Sequence, residues 1–271
     1  MQRRHPHHRE NPKSGCLENR LTFIIMSELS KVLKGKAYKR LKRIEEDVNA
    51  HKEDPVFSIF GLYDEDYVRV KGASAYIVAI HRKLGDIYER CIREIVKESL
   101  GLTDDQVRYS IKVEIAGKLV ERTLDCKILV HDVRDEEAKN RLRKLIAKEV
   151  GEDKANLYEG IGLEVRFCYQ IGDAKRIQAD LQMAHALIRD RILPIMLIFC
   201  NLSLRQPLER FKQRTPWRVK EGMQAYSFIR ELTNFDFYDF LNRIKEKAIQ
   251  PIMYNILSAL KRTNPPISSW A

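Results

Sequence analysis

The sequence predicts an α/β domain: a mixed central sheet laid down as helix, strand, strand, strand, helix, strand, with further helices at both ends. Three observations predict it. Apolar side chains recur at three- and four-residue steps over 72–99, as one buried helix face requires. The period changes to two over 111–130 and again over 161–169. Residues 193–200 form an apolar run of strand length, the pattern of a strand covered on both sides.

Residues 1–25 hold His5, His7 and His8, with Pro6 and Pro12, and are expected to be a dispensable, disordered leader. Met26 reads as an ordinary start, which leaves 26–271 as a single domain with a core of about 72–200. A basic helix over 28–49 carries Lys34, Lys36, Lys39, Arg40, Lys42 and Arg43. In the helix over 72–99, Tyr76, Ile80, Leu84, Ile87, Cys91 and Ile95 mark the buried face. Ile111, Val113 and Ile115 alternate with Lys112 and Glu114, and Ala116 and Gly117 supply a hairpin turn. On the returning strand, 119–130, Leu124, Cys126 and Ile128 face one way while Thr123, Asp125 and Lys127 face the other. A polar helix spans 135–150. On the third strand Leu163, Val165 and Phe167 share one face, and Glu164 and Arg166 the opposite one. Asp173 caps a helix to about 190 that buries Ala174, Ile177, Leu181, Ala184 and Ile188. The remainder, about 203–262, is mostly helical over 222–232, 236–250 and 252–262.

Composition narrows the function. Of 271 residues 44% are hydrophobic and 32% charged, which excludes wholesale disorder and collagen-like repeats. The longest apolar run, 192–200, is far short of the roughly 20 residues a membrane helix needs. A net charge of 49 − 38 = +11 favours a polyanionic partner, nucleic acid first. Cys16, Cys91, Cys126, Cys168 and Cys200 are scattered singly, which argues against a disulfide framework and against zinc. They read as small core residues of a cytoplasmic protein.

Asp125 and Glu164 rise from adjacent strands on the polar side. An isolated acid there is usually a solvated rim residue. A pair of them is how proteins hold Mg²⁺ for phosphodiester chemistry, because the ion takes oxygen ligands and lowers the pKa of a bound water. Lys175, Arg176, Gln178 and Gln182 follow on the next helix, with residue types suited to base edges. An exposed face with an Arg176–Asp180 pair explains them equally. Arg205, Lys212 and Arg214, in a basic stretch around Trp217, suit phosphate contacts.

Here a resemblance enters. Residues 72–200 resemble the PD-(D/E)XK nuclease core in their αβββαβ order. ERTLDCKI, GLEVRFCYQIGDAKRIQADLQMAHAL and ILPIMLIFCNLSLRQP are similar to segments of type II restriction endonucleases. The resemblance implies Mg²⁺-dependent, sequence-specific cleavage of double-stranded DNA by a cytoplasmic homodimer, with a DNA methyltransferase encoded nearby but not bound. It puts the family's first acid on Asp125 and its (D/E)-X-K triplet on Glu164, Val165 and Arg166. The family's lysine is Arg166 here, and arginine cannot serve as a base; Lys175 is a displaced candidate for the amine. A second frame takes Asp125, Cys126 and Lys127 as the triplet, with Glu114 as first acid. Other functions weighed are a structure-specific repair or recombination nuclease of the same fold and a non-catalytic DNA-binding protein. The aromatic cluster Phe235, Phe237, Tyr238 and Phe240 on the C-terminal helices offers a dimer surface, and an ordinary core explains those rings equally.

Overall fold

The computed structural model describes residues 12–59, 62, 64–115, 118–169, 174–201 and 205–261. Helix α1 (Pro12–Lys34) turns Leu17, Leu21, Ile24, Ile25, Leu29 and Val32 inward at helical spacing, and all six are buried. The disordered leader expected over 1–25 is thereby corrected from Pro12 onward. Its apolar residues form a helix face that the histidine-rich start obscures, and residues 1–11 lie outside the described ones. Leu21→Ala is expected to cost about 2–5 kcal/mol in urea unfolding, the range for a fully buried leucine. Starting the chain at Met26 should cost more.

The single helix expected over 28–49 is broken. Gly35 is extended (φ −72°, ψ 163°) between α1 and α2 (Lys36–Leu41), and Arg43 (φ −115°, ψ 34°) separates α2 from α3 (Ile44–Glu53). After the short α4 (Pro55–Ile59), Asp64 caps α5 (Glu65–Leu100) by accepting from the main-chain N–H groups of Asp66 and Tyr67. Gly101, at φ +66°, ends it in the left-handed conformation that glycine adopts without strain. Buried Glu28 ties α1 to α5, accepting from Lys31 at 2.6 Å and Lys83 at 3.3 Å and meeting Arg90.

Past α6 (Asp104–Val107), β1 (Tyr109–Ile115) and β2 (Lys118–Leu124) form an antiparallel hairpin with Tyr109 opposite Leu124. Its expected turn at Ala116 and Gly117 lies outside the described residues. The expected strand 119–130 is interrupted at Asp125, and the chain resumes as β3 (Cys126–Leu129) with a different neighbour. Helices α7 (Glu136–Val150) and α8 (Glu152–Ala155) lead to β4 (Gly160–Arg166), α9 (Ala174–Arg189) and β5 (Ile192–Ile198). Helix α10 (Arg205–Arg214) precedes β6 (Arg218–Glu221), a strand the sequence reading missed. The chain then runs through α11 (Met223–Thr233), α12 (Phe237–Ile244), a π-helical turn and α13 (Gln250–Lys261).

The four-stranded sheet has the order β3-β4-β5-β6, antiparallel between β3 and β4 and parallel thereafter. With 69% helix around it, the protein is mixed α/β. One sheet face, with Ile128, Leu163, Val165, Ile195 and Leu197, packs on α5, α7 and the C-terminal helices. The other, with Met196 and Ile198, lies beneath Met183, Ala184 and Leu187 of α9. Helix and sheet approach closely at Gly162, where a Cβ would stand 2.9 Å from the Leu187 side chain. Both faces of β4 are therefore covered, so Glu164 is buried rather than on an open polar side. Phe237 and Phe240 are fully buried in the chain's own core. Those two rings are thereby corrected as part of a dimer surface, because α12 docks with them, whereas Tyr238 is exposed.

Candidate active site

Asp125 stands where the chain leaves the hairpin and joins the sheet. The residue before it pairs with Tyr109 and the residue after it with Leu163. Freed from both ladders, its carboxylate turns to β4 and accepts the Val165 N–H at Oδ2, 2.7 Å. Its carbonyl accepts from Arg93 Nε of α5 at 2.9 Å. Glu164 immediately precedes Val165 on β4, so the two acids meet near the C-terminal end of that strand.

Arg166 gathers them. Its Nη1 lies 3.7 Å from Asp125 Oδ2, its Nη2 pairs with Glu164 Oε1, and the same Nη2 is 3.4 Å from Asp180 Oδ1. Its Nε is buried with no hydrogen-bond partner. Asp180 also accepts from the Tyr169 hydroxyl at 2.8 Å, and its carbonyl accepts from Trp217 Nε1 at 2.8 Å. The alternative of an exposed Arg176–Asp180 pair on an outer face does not hold. Helix α9 is instead rotated: Asp180, Met183, Ala184 and Leu187 face the sheet, and Ile188 is exposed. Spacing carried this signal, because Asp180 lies on the three- and four-residue row with Ile177, Ala184 and Leu187.

Burial governs the electrostatics. It pushes Asp125 up to about 7, helped by the negative charge of Glu89 and opposed by Arg166. Glu164 is raised well above the ordinary carboxylate range by burial and then by Asp125. The surrounding acids hold the Arg166 guanidinium firmly protonated against its own burial. Three acids around one guanidinium leave an excess of −3 + 1 = −2 when all are ionised. The second oxygen of Asp125 and that of Glu164 meet no donor among the described residues. Among the described residues no three His, Cys, Asp or Glu side chains converge as a ready metal-ligand set.

Above Arg166 opens a cleft of about 410 Å³, lined by His81, Arg82, Asp86 and Glu89 of α5 and by Arg166, Cys168 and Arg176. Glu89, which sequence reading missed, is held by Arg93 at 2.9 Å. Arg176 reaches this cleft. Gln178 is exposed, whereas Gln182 is half-buried with an unpartnered Oε1. Lys212 is engaged by Glu209 and Glu221, and Arg214 is exposed. The side chains of Lys175 and Arg205, and the expected cap Asp173, lie outside the described residues. Lys127 is half-buried on β3. The hairpin register sets Glu114 opposite Leu119, six residues before Asp125 and about 20 Å away along a strand. The structure thus brings together Asp125, Glu164 and Arg166, and leaves Glu114 at the far end of the hairpin.

Cys168 and Cys200 form a disulfide (Cα–Cα 5.2 Å) joining the chain just beyond β4 to the chain just beyond β5. This corrects the reading of all five cysteines as free. Their separation of 32 residues hides the pairing, which parallel neighbouring strands create. Reducing the bond is expected to lower the unfolding free energy by about 2–4 kcal/mol in denaturant titrations with and without reductant. Cys91 and Cys126 are buried and free, and Cys16 is exposed.

No helix among the described residues is long and apolar enough to cross a membrane. Comparison with family models, curated proteins and solved structures gave no match.

Proposed function

We propose that the chain is a Mg²⁺-dependent endonuclease acting on double-stranded DNA, of the PD-(D/E)XK type and similar to type II restriction enzymes. The observation that carries this reading is the buried pair of Asp125 and Glu164 on neighbouring strand segments, one guanidinium away from a cleft rimmed by His81, Arg82 and Arg176. The residues fit a hard divalent cation in charge, through the excess of −2, and in donor chemistry, through one unengaged oxygen on each acid. Asp125 and Glu164 would hold Mg²⁺, which supplies polarisation of the phosphodiester and a lowered pKa for a bound water. Arg166 stays charged and offers planar donors to a phosphate at the cleft floor. Asp180 and Tyr169 fix its direction from below. Arg176 and Arg82 balance phosphate charge at the rim.

The same guanidinium supports a second reading. Because Arg166 already neutralises part of the acid pair, a DNA-binding protein without catalysis has an observation in its favour. Incubating plasmid and genomic DNA with the protein and Mg²⁺, then sequencing the ends, separates the two. Discrete, EDTA-sensitive fragments are expected. Retarded but uncut DNA would overturn the nuclease reading in favour of the binding one.

A further inference from the structure

A cavity of about 340 Å³ lies between α1, α5, α11 and the C-terminal helices, within the roughly 300–1,000 Å³ that ligand pockets span. Tyr88, Phe167, Tyr226, Leu241, Ile249 and Met253 line it and stay only half-buried. Tyr88 and Tyr226 turn their hydroxyls to each other at 2.6 Å, so the wall they form offers little but carbon. A water molecule settles where polar groups hold it, and here few do. An apolar guest that displaces it gains by leaving bulk water.

One charged side chain belongs to this lining. Lys245 opens the π-helical turn Lys245–Ile249, is exposed, and has no ion-pair partner among the described residues. Leu241, Lys245, Ile249 and Met253 form a row at four-residue steps. Such a row drifts about 40° per step around an α-helix, and the wider π-turn takes part of that drift back. All four residues therefore reach the same cavity. A π-turn inside an α-helical run is rare and is found mostly at functional sites. A lysine lays its carbon stem on apolar surface and keeps its ammonium in water, which sets a single positive charge at the mouth.

We propose that this cavity binds a medium-chain fatty carboxylate, with the hydrocarbon chain inside and the carboxylate on Lys245. The rings argue against a flat aromatic guest. Tyr226 and Tyr238 stand 5.2 Å apart, Tyr88 and Phe167 5.6 Å, and Tyr88 and Tyr226 6.4 Å. A third ring sandwiched between two needs about 7 Å, twice the contact distance. The rest of the wall is ridged by leucine, isoleucine and methionine, which a chain with free rotamers can follow. The charge argues for a carboxylate. One ammonium matches one carboxylate, whereas a phosphate takes a fork of donors such as arginine supplies. The site does not depend on the nuclease reading, although the cavity shares Phe167 with the cleft above Arg166.

Titration calorimetry of the full chain with sodium decanoate, without DNA or Mg²⁺, tests it. One decanoate per chain is expected to bind in the micromolar range. Octanoate should bind about tenfold or more weakly, since each buried methylene changes affinity about fourfold. Decylammonium, with the same chain and the opposite charge, should also bind at least about tenfold more weakly than decanoate. Lys245→Gln should weaken decanoate about tenfold and narrow its lead over decylammonium. Lys247→Gln, exposed on the same turn but outside the lining, should change neither. Met253→Trp should fill the cavity and abolish binding. Lys245 is exposed, so the charge comparison stands even where Met253→Trp does not fold. Absence of decanoate binding below millimolar concentration overturns the proposal, as does equal affinity for decanoate and decylammonium. A folded Met253→Trp that binds normally, or a Lys245→Gln no weaker than Lys247→Gln, overturns the placement in this cavity.

Discussion

Glu164→Gln and Asp125→Asn are each expected to slow Mg²⁺-dependent cleavage of plasmid DNA about a hundredfold or more. That factor corresponds to a few kcal/mol, in the range a polarising cation contributes to such a reaction. Amides are chosen because they keep the shape of the site. Asparagine still offers an oxygen to the Val165 N–H, which alanine would strand in the interior. Folding stability should hold or rise, because either change relieves repulsion between buried acids that already titrate high. DNA binding without Mg²⁺ should persist. Glu114→Ala is the control, opposite Leu119 toward the far end of the hairpin, and should cut normally. Normal cutting by Glu164→Gln would refute the assignment of the site even where the protein proves to be a nuclease.

Replacing Arg166 with leucine should be the most destabilising single change at the site. It removes the guanidinium between Asp125, Glu164 and Asp180. Breaking a buried ion cluster from one side costs about 3–5 kcal/mol, because the charges left behind have no counter-ion. The cost should depend on pH in a definite direction. A buried acid whose folded pKa lies above its unfolded value stabilises the fold below the unfolded pKa, about 4. That contribution is lost as pH rises through the folded value, which for Asp125 is about 7. Without divalent cation, the wild type is therefore expected to be more stable near about pH 5 than near about pH 8, and Arg166→Leu more steeply so. Urea titrations at the two pH values decide it. An Arg166→Leu midpoint that does not move with pH would mean the acids are not uncompensated there. Arg166→Lys should fall between, since it keeps the charge but can serve only some of three carboxylates.

The sheet was legible because its strands carry the period of two and an unbroken apolar run, signals that local sequence states directly. The C-terminal helices were legible for the same reason. What escaped depends on three-dimensional neighbours. Strand β6 reads Arg-Val-Lys-Glu, and only its pairing with β5 makes it a strand. The hairpin strand and β3 look like one strand because alternation continues through Asp125, and nothing local announces that the chain changes partner there. Charge alone offers Asp180 an exposed pair with Arg176 as one alternative, whereas its spacing on the apolar row with Ile177, Ala184 and Leu187 points it inward. Glu89 sits on a helix distant in sequence from both acids and becomes a neighbour only through folding. Asp125, Glu164 and Arg166 were legible as a group, because residue type, strand order and family resemblance pointed to the same positions.

The sulfur link between Cys168 and Cys200 has a topological meaning. Main chain and disulfide together close a covalent ring that contains all of α9 and β5, and with them Asp180 and Arg176. A protease that severs one peptide bond inside this ring opens it without dividing the molecule. The nicked product keeps a single mass under non-reducing conditions and separates into two pieces only when the sulfurs are reduced. The helix that holds Arg166 in place is thus retained by two independent covalent routes, one running through its own backbone and one around it.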